Sequence, residues 1–311
     1  MKIPSKAIML TLCLGLLLSC DSLEDKKGRF LLKGNEKMKE NDPKSAIGFY
    51  QEAIALDSTF VDAYFNKGLA HLRFNQLEAA IRDFSKAIQI DPEYFEAIFQ
   101  RGLTYLDNGE FYKAREDAEK LKNLDQESWK SFFLAGLTEE KLKNYPASLA
   151  SFEKAISLAP DNSDLLVNQA TILYYQKNLA QAKEVLDRAE QLNPEEPNLH
   201  NLRSMILFEE KDYSGALRSV EKAITLDNRQ AYFYNNKGLY LLFLGNLEEG
   251  LAQINQSIQM DPKNPYALRN KGIYYVLKGD KISALQYLED LNGNYPEMEL
   301  LSEYLQKAQE L

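Results

Sequence analysis

Apolar and polar positions between residues 27 and 298 recur with a period of 34. Windows opened at Lys27, Val61, Phe95, Trp129, Ser163, Pro197, Ala231 and Pro265 align without an insertion. Each window holds two stretches whose apolar residues return every three to four positions, as on one face of a helix. Between the stretches stands a Gly or Asn: Asn41, Asn75, Gly109, Gly245 and Gly279 at the fifteenth position, with Asn144 and Asn178 one residue later. These residues tolerate the left-handed backbone that closes a helix. The pattern predicts an all-α chain of eight helix-turn-helix units.

Size alternates as regularly as polarity. The eighth position reads Gly34, Gly68, Gly102, Gly136, Ala170, Ser204, Gly238 and Gly272, and the twentieth is equally small throughout. The twenty-fourth is bulky in seven windows, as in Tyr50, Phe84 and Phe152. Ala53, Ala87, Ala155, Ala189 and Ala223 leave room at position 27 for the next unit. Pro92, Pro160, Pro194, Pro262 and Pro296, at position 32, cannot continue the second helix and can start the next first helix. This constellation resembles the tetratricopeptide repeat family. The resemblance implies a solenoid of eight 34-residue repeats forming a right-handed superhelix, in which no repeat buries its own faces alone. Repeat 3 departs, with Ala118 at position 24, Leu121 at 27 and Gln126 at 32; repeat 7 departs with Gly250 and Ser257. Residues 299–311 carry the apolar stripe Leu300, Leu301, Tyr304, Leu305 and Ala308 and read as a C-terminal capping helix.

The start of the chain is different in kind. Lys2 and Lys6 precede an apolar run, Ala7 to Leu18, too short to span a bilayer. Residues 1–19 read as a signal peptide. Leu17-Leu18-Ser19-Cys20 resembles a bacterial lipoprotein signal, which implies lipid attachment at Cys20 and an envelope location, periplasmic or surface-facing. Residues 20–26, with Asp21, Glu24 and Asp25, read as a short tether, with a sorting signal as the alternative.

Composition narrows the chemistry. A formal charge of −9, falling to −11 once Lys2 and Lys6 are removed, argues against nucleic acid as a partner. Two Cys and two His are too few for a disulfide framework or a Cys/His zinc site, so no metal or cofactor is expected. No His-Glu-x-x-His, Gly-x-Ser-x-Gly or phosphate-binding loop is present, and no catalytic residue is assigned. His71 and His200 fall on the buried side of their helices and read as packing residues.

In tetratricopeptide proteins the first helix of each repeat lines a concave groove through positions 2, 5, 6, 9, 12 and 13. Position 6 here carries Asn66, Gln100, Asn168, Asn236 and Asn270, interrupted by Leu32, Leu134 and Leu202. A carboxamide both donates and accepts, so such a column can hold the main chain of an extended peptide; the alternative is that these residues cap or are solvated. Phe65, Phe99 and Phe133 at position 5 form an apolar strip that either meets a partner or packs on its neighbours. Tyr232, Asn235, Tyr266 and Arg269 make the later repeats more polar. The expectation is a lipid-anchored scaffold that binds other proteins or extended peptides in its groove. The alternative is a structural lipoprotein that associates with itself.

Overall fold

The computed structural model describes residues 22–311, which contain seventeen helices and no strand. Two compact units divide at Glu110 and Phe111. The first holds α1 (Leu23–Lys39), α2 (Pro43–Leu56), α3 (Val61–Arg73), α4 (Leu77–Ile90) and α5 (Phe95–Asp107). The second holds α6 (Phe111–Leu124), α7 (Trp129–Lys141), α8 (Tyr145–Leu158), α9 (Ser163–Tyr175), α10 (Leu179–Leu192), α11 (Pro197–Glu209), α12 (Tyr213–Leu226), α13 (Ala231–Phe243), α14 (Leu247–Met260), α15 (Pro265–Lys278), α16 (Lys281–Asn294) and α17 (Leu301–Glu310). Within each unit successive helices pack in chain order, as in tetratricopeptide solenoids. No helix among the described residues is long and apolar enough to cross a membrane.

The size rhythm is the packing code. A Cβ built on Gly136 would lie 2.7 Å from Cε1 of Phe152, and one on Gly68 would lie 2.6 Å from Cε1 of Phe84. Position 8 is therefore small because the ring at position 24 of the same repeat occupies the space. Ala53, Ala87, Ala155, Ala189 and Ala223 are fully buried where the next helix docks. In repeat 3, Leu121 is fully buried beside Ala118, so bulk moves one turn from position 24 to 27. In repeat 7, Gly250 faces the Gly238 carbonyl, 3.0 Å from where a Cβ would sit; its helix-propensity cost accompanies a close backbone approach.

Three local expectations are corrected. First, the helix-closing position is the fifteenth in all eight repeats. Where Asn144 and Asn178 were expected to close the helix, Lys143 and Lys177 (φ 59°) do so, and Lys211 (φ 65°) does the same in repeat 6. Asn144 and Asn178 instead sit at the N-caps of α8 and α10. The tertiary register, with the amide of residue 144 on the carbonyl of Glu139 (2.8 Å) and that of 178 on Leu173 (2.9 Å), overrides side-chain preference. A non-glycine residue in that conformation costs about 1–2 kcal/mol. Second, proline at position 32 stops the second helix but lies in the turn: the next helix begins three residues after Pro92, Pro160, Pro194 and Pro262, and five after Pro296. Position 31 forms that turn in six repeats, with or without a proline after it: Asp57, Asp91, Asp125, Asn193, Asp227 and Asp261 each accept the amide two residues on. Third, the tether is shorter than read. Ser22 and Asp25 form a reciprocal capping box, and α1 starts at Leu23 with Glu24 and Asp25 in its first turn. Cys20 and residues 1–19 lie outside the described residues.

Candidate functional site: a cleft in the second unit

A cleft of ≈ 1380 Å³ runs along the second unit. Its walls come from one face of α7, α9, α11, α13 and α15, and the residues just before α17 close one side. The lining follows the groove positions closely: Tyr232 and Tyr266 at position 2, Asn201 and Asn235 at 5, Met205 at 9, Tyr174 at 12 and Glu209 at 13. Tyr145 and Tyr213, at the starts of α8 and α12, and Lys143, Lys177 and Lys211 add the rim. Those three lysines are the left-handed residues of consecutive repeats, so the turn geometry fixes where their side chains leave the backbone.

Three of the tyrosines are held by hydrogen bonds. Tyr174 donates to the Glu209 carboxylate at 3.3 Å, and Tyr232 to Asn198 Oδ1 at 2.7 Å. Tyr240 shares a 3.0 Å hydrogen bond with Ser204. Burial pushes all three phenols up, Tyr232 to about 12, so they stay neutral donors throughout the physiological range.

The floor is a polar chain. Asn236 donates to Asn201 Oδ1 at 2.9 Å, and Asn270 donates to Asn235 Oδ1 at 2.7 Å. Arg269 closes it, with Nε and Nη2 donating to Asn270 Oδ1 at 3.0 and 2.8 Å and Nη1 to the Glu299 carbonyl at 2.8 Å. The guanidinium stacks on Tyr266, 5.4 Å from the ring centre. Arg269 is 5% exposed, and burial lowers it to about 10, which leaves it charged at neutral pH. Both of its acceptors, Asn270 Oδ1 and the Glu299 carbonyl, are neutral oxygens.

The sequence-predicted residues separate into three groups. Phe133, Asn168, Tyr232, Asn235, Asn236, Tyr266 and Arg269 come together in the cleft. Phe65, Asn66, Phe99 and Gln100 belong to the first unit. Phe65 packs its ring against Phe84 and Tyr94, and Phe99 is buried. Asn270 is fully buried in the polar chain and does not line the cleft. The position-6 residues are thus not one equivalent ladder. Asn66 and Asn168 donate to carbonyls of their own helices, Asp62 at 2.8 Å and Asp164 at 2.7 Å. Leu134 and Leu202 are buried at the same position. Both histidines pack as expected: His200 is buried with Nε2 on the Pro194 carbonyl, and His71 pairs with Asp83 at 2.7 Å, beside Lys67. Among the described residues no group of His, Cys, Asp or Glu is arranged to hold a metal ion.

Sequence reasoning missed the residues that close the cleft. Lys177, at the turn after α9, pairs with Glu209 at 3.3 Å and with Glu299 at 2.5 Å. Burial opposes its charge, but the Glu299 and Glu209 carboxylates outweigh it and raise the ammonium above its ordinary value. Met298 and Leu300 pack on the core shared by α13 to α17, and Leu300 itself is left-handed (φ 61°).

Family models described as tetratricopeptide repeat match residues 61–94, 99–163, 141–206 and 235–299. A search of curated protein sequences finds no match. Among solved structures, the Cut9–Hcn1 hetero-tetramer of the APC/C is similar with a TM-score of 0.69 at 16% identity, over 93% of this chain and 57% of that one. This chain therefore spans little more than half of that protein. Yeast Tom70 gives 0.59 at 18% identity, over 92% of this chain and 64% of that one. PilF of Pseudomonas aeruginosa gives 0.55 at 21% identity, over 70% and 96% respectively.

Proposed function

This chain belongs to the tetratricopeptide repeat family, and from that premise we propose that it is a lipid-anchored protein-interaction scaffold of a bacterial cell envelope. Its partner is a protein segment received in the cleft of the second unit, and its anchor is a lipid on Cys20. The observation that carries the partner reading is the cleft itself. Helix after helix presents Tyr and Asn from the groove positions, and these offer flat apolar surface with hydrogen-bonding groups beside it. Such a surface suits an extended or helical segment laid along it. The reading contains no catalytic step. It agrees with one structural neighbour having been solved together with a second, different protein. The anchor reading rests on the sequence around Cys20 alone.

Two measurements test these halves separately. A photo-crosslinking residue at Tyr232 or Asn168 should capture one and the same protein in intact cells, and the same residue at Ile282, an exposed site outside the cleft, should not. Equal capture from all three sites would refute cleft binding. Labelled palmitate should enter the wild type and not Cys20→Ser; equal label in both would refute the anchor.

A further inference from the structure

One side of the cleft is closed by a short segment of this chain that joins two helices. Glu297, Met298, Glu299 and Leu300 line the cleft there. The backbone carbonyl of Glu299 accepts from the buried guanidinium of Arg269, and its carboxylate reaches Lys177, 122 residues earlier. Met298 and Leu300 take the apolar contacts while the Glu297 and Glu299 side chains stay exposed. An apolar, an acidic and an apolar residue thus follow one another through two successive turns, with the Met298 N–H on the Tyr295 carbonyl (3.0 Å) and the Leu301 N–H on the Met298 carbonyl (3.1 Å). Resting on the cleft reading proposed above, we propose that the partner presents this same pattern: a turning segment with a carboxylate between two apolar side chains. It enters by exchange with Glu297–Leu300, which acts as the intramolecular placeholder.

Charge selects this occupant. The chain as a whole carries −9, yet the repeat walls of the cleft carry Lys143, Lys177, Lys211 and Arg269 against Asp164, Glu196 and Glu209. The acidic balance of the cleft comes from the segment and the start of α17, through Glu297, Glu299 and Glu303. Arg269 strengthens the argument, because a buried cation whose acceptors are all neutral is stabilised by any carboxylate brought close to it.

The side-chain link between the placeholder and Lys177 is weak. The Lys177 and Glu299 side chains are 54% and 57% exposed, and an ion pair so wet contributes little. Leu300 turns the chain in the left-handed region, which a leucine adopts only under constraint. Release relieves that strain, so a competing segment free of it has an advantage.

The test uses the full chain and a fluorescein-labelled peptide with the sequence of residues 293–303. Glu299→Lys, a change at an exposed side chain, sets two cations against each other and frees the cleft. That variant should bind the peptide at least tenfold more tightly than wild type by fluorescence anisotropy. A peptide carrying Lys in place of its central Glu should lose that binding. Adding Lys177→Glu to the Glu299→Lys chain should restore the internal pair and expel the original peptide. Helical circular dichroism and melting confirm that each variant is folded. Absence of peptide binding by folded Glu299→Lys, or equal binding of the Glu and Lys peptides, would overturn the proposal. So would a Glu299→Lys chain that fills its cleft with a second copy, seen as a concentration-dependent dimer that excludes the peptide. Cleft crosslinks in cells without peptide binding would overturn the exchange alone; loss of both would remove the protein-binding reading beneath it.

Discussion

Asn168 and Asn270 occupy the same position in repeats 5 and 8, and the structure assigns them opposite consequences. Asn270→Ala removes the acceptor of two guanidinium N–H groups and the donor to Asn235, all inside a fully buried site. Arg269 would keep only the Glu299 carbonyl. Breaking a buried charged interaction from one side costs about 3–5 kcal/mol, because the charge stays buried without compensation. Asn168→Ala removes one bond to the carbonyl of its own helix, at a half-exposed site. Alanine is also the better helix former, so the net change should stay within about 0.5 kcal/mol. For a unit of this size each kcal/mol moves the melting midpoint by about 2–4 °C, which places Asn270→Ala some 6–20 °C below wild type. Thermal melting by circular dichroism measures the midpoints, and hydrogen exchange should locate the loss in α13, α15 and the segment before α17. Equal midpoints for the two variants would refute the buried polar chain as a structural element.

Packing and acid stability supply two further expectations. Gly136→Leu should destabilise by about 1–3 kcal/mol or more through collision with Phe152, whereas Lys143→Gly should stabilise by up to about 1 kcal/mol by relieving a left-handed lysine; the reverse order of melting temperatures would contradict both assignments. Lys27 and the Thr59 hydroxyl and amide hold the Asp57 carboxyl down to about 2, and Arg229, with Gln230, holds the Asp227 carboxyl well below the ordinary carboxylate range. Because these pKa values are depressed on folding, the stability they confer is present above the ordinary aspartate value of about 4 and is lost as pH falls toward about 2. Asp57→Asn should flatten that part of the acid-unfolding profile, and an unchanged profile would show that the turn carboxylate does not matter.

Much of the architecture is written in the sequence because the repeat is local. In seven of the eight repeats the small residue at position 8 answers a large one sixteen residues later, so a single window already contains both halves of the contact, as Gly136 and Phe152 do. The groove positions came from the resemblance to the tetratricopeptide repeat family. Three features were not legible. Lys143, Lys177 and Lys211 take the closing conformation because the flanking helices impose the register, and lysine itself carries no such signal. The fate of each position-6 asparagine depends on what stands opposite: Arg269 and Asn235 bury Asn270, while nothing comparable reaches Asn168. The closing of the cleft by Glu299 on Lys177 joins residues in different repeats, and no periodic pattern connects them.

That last contact stands apart kinetically. The helices of each unit pack on neighbours close in sequence, which is the arrangement of a chain that gathers its structure quickly and piecewise. The link from Glu299 to Lys177 spans 122 residues, against about 34 for packing between successive repeats. By loop-closure entropy this separation costs about 1 kcal/mol more to bring together. During synthesis the walls of the cleft are complete before residues 297–300 have left the ribosome. The newborn second unit therefore passes through an interval in which its repeats are folded and its cleft is open. In refolding experiments the interval should register as a slow final phase, reported by Tyr174 and Tyr232 and absent from Glu299→Lys.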